Sequence, residues 1–169
     1  LDDLPNCPLI IEIDRSKDSE ENFNKKLIKQ KTDLKTVSLT RIDPFTTLFT
    51  SGTTGNPKGV VYPNEMLTAI AAYMIYGIGL HKTDSYWCMA DPGWAYGLLY
   101  AVIGPLLLGA TTTMYEGGFT TESTLSVIEK LNINNLAAAP TVYRLLMSAD
   151  KELKLKLKGK LRVASSAGE

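Results

Sequence analysis

The sequence predicts an α/β fold, a mostly parallel sheet flanked by helices, and two observations predict it. Apolar runs of about five residues alternate with helical patterns of about ten to fifteen, which is how strand–helix–strand units read. The expected strand ends at Thr50, Ala90, Ala139 and Ser165 each lead into glycine, proline or small residues. In parallel sheets ligands bind beyond the carboxyl ends of the strands, so the loops at Thr50, Asp91, Ala139 and Ser165 are expected to converge on one side.

Residues 1–169 read as one α/β segment: an N-terminal strand and polar helical region over 1–42, then a core over 43–169. Leu9 to Ile13, β-branched and apolar after Pro8, is the first expected strand. Asp14 to Thr36 is polar, with Phe23, Leu27 and Ile28 at helical spacing, and reads as a solvated surface helix with one thin apolar face. Phe45 to Thr50 alternates apolar and hydroxyl residues and is expected to be a strand. After the glycine-rich loop, Asn64 is the expected N-cap of a helix from Met66 to Leu80, apolar on most sides and therefore buried, with Gly77 and Gly79 weakening its end. His81 follows; a polar residue at a helix C-terminus suits it better than a catalytic role.

Ser85 to Ala90 is expected to be a strand, ended by the turn Asp91-Pro92-Gly93-Trp94. Trp94 at that mouth either walls a ligand pocket or packs in the core. Tyr96 to Leu108 is the next helix, capped by Gly109, and Thr111 to Tyr115 the next strand. Glu116-Gly117-Gly118 turns the chain; a helix starts at Thr121 or Ser123 and runs through Leu131; Leu136 to Ala139 is a small-residue strand. Pro140 opens a helix carrying Val142, Leu145 and Leu146, on which Arg144 is either a phosphate contact or a surface charge. Lys151 to Lys160 alternates lysine with leucine as a solvated amphipathic segment does. Leu161 to Ser165 is the last strand, leading to Gly168.

Composition excludes several function classes. Eighteen basic residues balance eighteen acidic ones, so no global field recruits nucleic acid or an anionic membrane, and any phosphate binding has to be local. Cys7 and Cys88 lie far apart without companion histidines, which argues against a zinc site or a disulfide scaffold and for a reducing, cytoplasmic setting. The apolar run from Leu98 to Ala110 is interrupted by Gly104 and Pro105 and is shorter than the roughly 20 residues of a membrane span, so it reads as a buried helix. The opening Leu1 and the stop at Ser165-Ser166-Ala167-Gly168-Glu169, directly after a strand, suggest a piece of a longer protein.

The densest chemistry is Thr50 to Gly59, reading Thr-Ser-Gly-Thr-Thr-Gly-Asn-Pro-Lys-Gly. Gly52, Gly55 and Gly59 let backbone N–H groups approach an anion. Thr50, Ser51, Thr53 and Thr54 add hydroxyl donors, and Lys58 adds a point charge. It is not a Walker A loop, because Pro57 precedes the lysine and Gly59 follows it. Pro57 also keeps Asn56 out of the helical region, so the chain stays extended through Lys58.

This loop resembles the phosphate-loop signature of the adenylate-forming superfamily, which includes acyl-CoA synthetases, luciferases and peptide-synthetase adenylation domains. Further matches are Asp91-Pro92-Gly93-Trp94, Gly104-Pro105-Leu106 with Gly109-Ala110, Met114-Tyr115-Glu116-Gly117, Ala139-Pro140-Thr141 and Ala167-Gly168-Glu169. Together they look most like the acetyl-CoA and short- or medium-chain acyl-CoA synthetase branch, and the resemblance covers Asp43 to Glu169. It implies a fold belonging to the large N-terminal domain of such enzymes. It also implies a two-step ligation using ATP, Mg²⁺ and coenzyme A, in which a small carboxylate is adenylated and then passed to the thiol, with no nucleic acid and no membrane span. By resemblance Lys58 and Thr53 act catalytically on the leaving pyrophosphate. Thr50, Ser51, Gly52, Thr54 and Gly55 help to hold the nucleotide, Gly168 and Glu169 border adenine, and Trp94, Ala95 and Tyr96 lie at the acyl pocket. No metal ligand is assigned in this chain. Where acetyl-specific relatives commonly carry threonine, this chain has Tyr96. The resemblance places the Mg²⁺ segment, the ribose aspartate and the adenylation lysine beyond Glu169, so the segment alone is expected not to turn over. The alternatives are an adenylation domain with another thiol acceptor and a non-catalytic nucleotide-binding module.

Overall fold

The computed structural model describes residues 22–50 and 55–167; the strand expected at Leu9–Ile13 lies outside them. The chain divides into two units, 1–38 and 39–169. In the first, helix α1 (Phe23–Ile28) starts at Asn22, whose side-chain oxygen accepts from the Asn24 and Lys25 amides. Phe23, Leu27 and Ile28 are all exposed.

The second unit holds two sheets. Strands β1 (Pro44–Thr50) and β2 (Lys58–Pro63) pair antiparallel in a hairpin whose last rung joins Thr50 to Lys58. The sequence reading did not anticipate β2. Gly59, Val60 and Val61 are exposed in succession, so no alternation of apolar and polar residues marks the strand, and the hairpin stands apart from the parallel sheet.

That sheet contains β3 (Ser85–Cys88), β4 (Thr111–Thr113), β5 (Asn135–Ala138) and β6 (Val163–Ser166), in the order β4-β3-β5-β6 with every pair parallel. Alternation along β3 sends Tyr86 and Cys88 to one face and Trp87 to the other. On the first face they join Ile70, Met74, Ile78, Leu99 and Ala101. On the second, Trp87 meets Ile128, Ile133, Leu136 and Leu146. Helices therefore cover both faces, and β3 and β5 are buried almost throughout.

The helices differ in detail from the sequence reading. α2 (Met66–Ala72) begins after Glu65 rather than at an Asn64 cap; the Asn64 amide group donates instead to Thr40 O at 3.3 Å. The helix widens into a π-helical stretch over Tyr73–Gly77. It buries one stripe, Ile70, Met74 and Ile78, while Tyr73, Ile75 and Tyr76 stay exposed, so apolar character on most sides did not mean burial on most sides. The second long helical segment consists of α3 (Ala95–Gly97), a π-helical stretch Leu98–Ile103 and α4 (Gly104–Leu107). It is buried at Leu99, Ala101 and Pro105 but exposed at Leu106 and Leu107. Gly109, at φ 64°, takes the left-handed conformation that ends the helix. α5 (Thr121–Lys130) is capped by Thr120, which exchanges hydrogen bonds with Ser123. α6 (Pro140–Ser148) and α7 (Lys151–Leu157) connect β5 to β6.

At the N-terminal ends of the strands a polar cluster ties the sheet together. Asp84 accepts from the His81 amide at 2.9 Å, Asn135 Nδ2 at 3.1 Å and Arg162 Nε at 3.0 Å, and pairs with Arg162 Nη2. Arg162 also donates to Gly79 O at 2.7 Å. Burial alone would raise the Asp84 carboxyl; these donors and the guanidinium charge outweigh it and hold the group below its ordinary value.

Candidate functional site

The order β4-β3-β5-β6 contains a reversal. From β3 the chain passes outward to β4, and from β5 it passes the other way to β6, so the helical connections leave β3 and β5 in opposite directions and a crevice opens at their carboxyl ends. A cleft of 570 Å³ lies there, within the size range of small-molecule sites. Its walls are Met89, Ala90 and Asp91 after β3; Trp94, Ala95 and Tyr96 at the start of α3; Ala139 and Val142 after β5; and Ala167 after β6.

Local chemistry fixes the Asp91 turn. Asp91 Oδ1 accepts from the Gly93 amide at 2.6 Å, and Asp91 O accepts from the Trp94 amide at 3.0 Å. Trp94 is extended (φ −104°, ψ 153°) and starts α3. Gly97 makes the return possible: a Cβ there would stand 2.0 Å from Asp91 O, so the helix rests directly on the turn backbone. Across the cleft, Ala139 caps α6 with Pro140 at its first position, where a missing N–H costs nothing.

The cleft wall is mainly apolar. Trp94 is 74% exposed, which sets aside core packing as its role. Tyr96 is half-buried, and its hydroxyl is fully buried without a hydrogen-bond partner; the surface it turns to the cleft is therefore ring and backbone. Burial, followed by the neighbouring Cys88 and Tyr73, pushes the Tyr96 phenol up, so it stays protonated. Burial likewise raises Cys88. Tyr143 Oη lies 2.8 Å from both Leu136 O and Ser165 O, so its one proton serves carbonyls of β5 and β6 beside the cleft; burial, then Cys88, pushes it up to about 12. A smaller cavity of 210 Å³ lies on the other side of Asp91, between Trp87, Thr113, Tyr115 and Thr124.

Of the four loops expected to converge, those at Asp91, Ala139 and the end of β6 do so. The fourth follows β1, which belongs to the hairpin and not to the parallel sheet. Ser51, Gly52, Thr53, Thr54, Gly168 and Glu169 lie outside the described residues. Thr50 and Lys58 occupy one rung of the hairpin, and partners on a rung project from the same face with Cβ atoms about 5 Å apart. Gly55 has φ 87° with open space where a Cβ would stand, as suits a backbone that must leave room for an anion. Trp94, Ala95 and Tyr96 are brought together; Met89, Val142 and Ala167 join them, read in the sequence as a strand residue, a helix-face residue and part of the terminal motif but not as pocket residues. His81 serves the fold through its backbone, with its amide on Asp84 and its carbonyl accepting from the Asp84 amide at 3.0 Å. Among the described residues no group of three or more His, Cys, Asp or Glu side chains could hold a metal ion, and no helix is long and apolar enough to cross a membrane.

The family model described as AMP-binding enzyme matches residues 2–169. The chain is 36% identical over 149 residues to the acetyl-coenzyme A synthetase of Bacillus subtilis (strain 168), an alignment covering 88% of this chain and 26% of that protein. It is 41% identical over 132 residues to the acetyl-coenzyme A synthetase of Escherichia coli (strain K12), covering 75% of this chain and 20% of that one. The crystal structure of Brucella canis acyl-CoA synthetase matches with a TM-score of 0.87 and 44% identity, over 99% of this chain and 31% of that one. The chain thus spans only 20 to 26% of the length of these curated relatives. The fold matches at high identity and the family model runs from the second residue to the last, so the chain belongs to the AMP-binding enzyme family.

Proposed function

We propose that these 169 residues form the acyl-binding and phosphate-handling part of an ATP-dependent, AMP-forming acid–CoA ligase for a small carboxylate. In the first step a carboxylate oxygen attacks the α-phosphorus of ATP and pyrophosphate leaves. In the second the thiolate of coenzyme A attacks the acyl carbon and AMP leaves. The observation that carries the reading is the apolar cleft at the reversal between β3 and β5. It is suited to an acyl chain, with Trp94, Ala95 and Tyr96 as its walls.

Lys58 and Thr50 share a rung and a face at the base of the loop, where a cation and a hydroxyl can take up negative charge developing on the departing pyrophosphate. Thr53 is assigned to the same task, with Ser51, Gly52, Thr54 and Gly55 lining the loop. Gly168 and Glu169, which follow Ala167 in the sequence, are assigned to border the nucleotide base. Mg²⁺ would arrive with the nucleotide; the described residues offer it no carboxylate cluster, and no step is assigned to it. A cytoplasmic setting suits a buried, free Cys88.

The test is ATP–pyrophosphate exchange by the full-length protein that carries this segment, with acetate and propionate as acids. Lys58→Ala is expected to lower exchange by about 10² to 10³, the usual cost of removing one transition-state charge contact. Unchanged exchange would remove Lys58 from the reaction. Product formation with a phosphopantetheine carrier protein but not with coenzyme A would point to the other thiol acceptor.

A further inference from the structure

We infer that Tyr100, backed by Tyr73, is a positioning residue that sets where the Tyr96 ring stands in the cleft wall, and thereby the chain length of the acid accepted. The inference rests on the reading of that cleft as an acyl pocket. Its starting point is the Tyr96 hydroxyl, which is buried and makes no hydrogen bond of ordinary geometry, with the Tyr73 side chain as its polar neighbour. The place of the Tyr96 ring is therefore set mainly by its packing against neighbouring rings.

The packing is a cluster of three rings. Tyr100, one helical turn after Tyr96, meets it edge-on with centroids 5.0 Å apart and planes at 62°. Tyr100 also meets Tyr73 at 4.7 Å and 46°, and Tyr73 neighbours the Tyr96 phenol as well. Tyr73 is seated in turn against Gly77, where a Cβ would stand 2.7 Å from the ring Cδ2, so Gly77 keeps the space that the Tyr73 ring occupies. Tyr73 and Tyr100 each sit in a π-helical stretch, a widening of the helix often found at functional sites. Neither lines the cleft. Both act on it only through Tyr96.

If Tyr100 loses its ring, Tyr96 gains room to swing away from the cleft and the pocket deepens. The measurements are steady-state constants of the full-length protein across a series of straight-chain acids. Tyr100→Leu is expected to raise KM for the preferred acid about tenfold, on the scale of a mismatched methylene in an apolar pocket, and to favour acids one or two carbons longer. Over the same series kcat and the KM for ATP should stay within about twofold. Tyr100→Phe, which keeps the ring, should retain the original preference. Tyr73→Leu should shift preference in the same direction but less. On a Tyr96→Gly background Tyr100→Leu should add nothing, since residues that act through one another are non-additive.

The inference is overturned if Tyr100→Leu lowers kcat equally for every acid, raises the KM for ATP, or adds in full on the Tyr96→Gly background. It is also overturned if Tyr96→Gly changes acid preference while Tyr100→Leu and Tyr73→Leu do not, which leaves the acyl-pocket reading standing. If Tyr96→Gly itself leaves every acid's KM unchanged, the acyl-pocket reading falls and this inference with it. Should Tyr100→Leu fail to fold, Tyr73→Leu, at a more exposed position, decides alone.

Discussion

Asp84 carries more of the sheet than any neighbouring side chain, because it accepts from the loop before β3, from Asn135 at the start of β5 and from Arg162 just before β6. Its carboxyl is held below its ordinary value in the fold. The stability this supplies is therefore complete above the unfolded value of about 3.9 and is lost as pH falls through the folded value. Amides of β5 and β6 should lose hydrogen-exchange protection as pH drops below about 4, and Asp84→Asn should remove that acid-sensitive component. At neutral pH Asp84→Asn should weaken the same amides by about 2 kcal/mol, less than the roughly 3 to 5 kcal/mol of breaking a fully buried pair, because the Arg162 side chain is 37% exposed and recovers water. None of this was legible in the sequence. Asp84 and Arg162 are 78 positions apart, and a lone aspartate between a helix and a strand carries no mark of its partner. The cleft position of Tyr96, by contrast, was expected from the resemblance around Asp91-Pro92-Gly93-Trp94, whereas the phosphate role of Lys58 stays a proposal drawn from the glycines and hydroxyls of its loop.

The elements divide in the same way. α5 and α6 were readable because each carries a helical period, and β3 and β5 because each is a short apolar run with a punctuated end: Asp-Pro-Gly after β3, Pro140 after β5. β2 was not, because a hairpin strand exposed on both faces has no buried side to impose alternation. The π-helical stretches were also invisible, since propensity and spacing register a helix but not its widening. The contact between α3 and the Asp91 turn yields a sharp expectation. With 2.0 Å between a would-be Cβ at Gly97 and Asp91 O, Gly97→Ala has to displace backbone rather than a yielding side chain. It should cost about 2 to 3 kcal/mol of stability, as overpacking does. It should also weaken acid binding, read as a lowered melting temperature together with a raised KM for the carboxylate.

In the unit 39–169 the two ends of the parallel sheet have different duties. The N-terminal end is tied by Asp84, Asn135 and Arg162, while the C-terminal end is left open for the cleft. The location of that opening was foreseeable from alternating strands and helices alone; which strands border it depended on their spatial order, which no local pattern encodes. Because the chain spans only 20 to 26% of the length of these curated relatives, the 169 residues alone are expected to give no ATP–pyrophosphate exchange above blank with acetate or propionate. Exchange by the isolated segment would mean that it holds a complete adenylation site.

Four of the nine residues walling the cleft are alanines, Ala90, Ala95, Ala139 and Ala167, each contributed by a different place in the chain or a different turn of it. A methyl group is the smallest side chain that can be enlarged in many ways and reduced in only one. Divergence can therefore narrow this space stepwise from several independent directions without disturbing the sheet, whereas enlarging it substantially runs through the few large side chains, Tyr96 and Trp94 foremost. The asymmetry makes selectivity for smaller molecules easily acquired by single substitutions, and makes a broad change toward larger ones hinge on two aromatic positions.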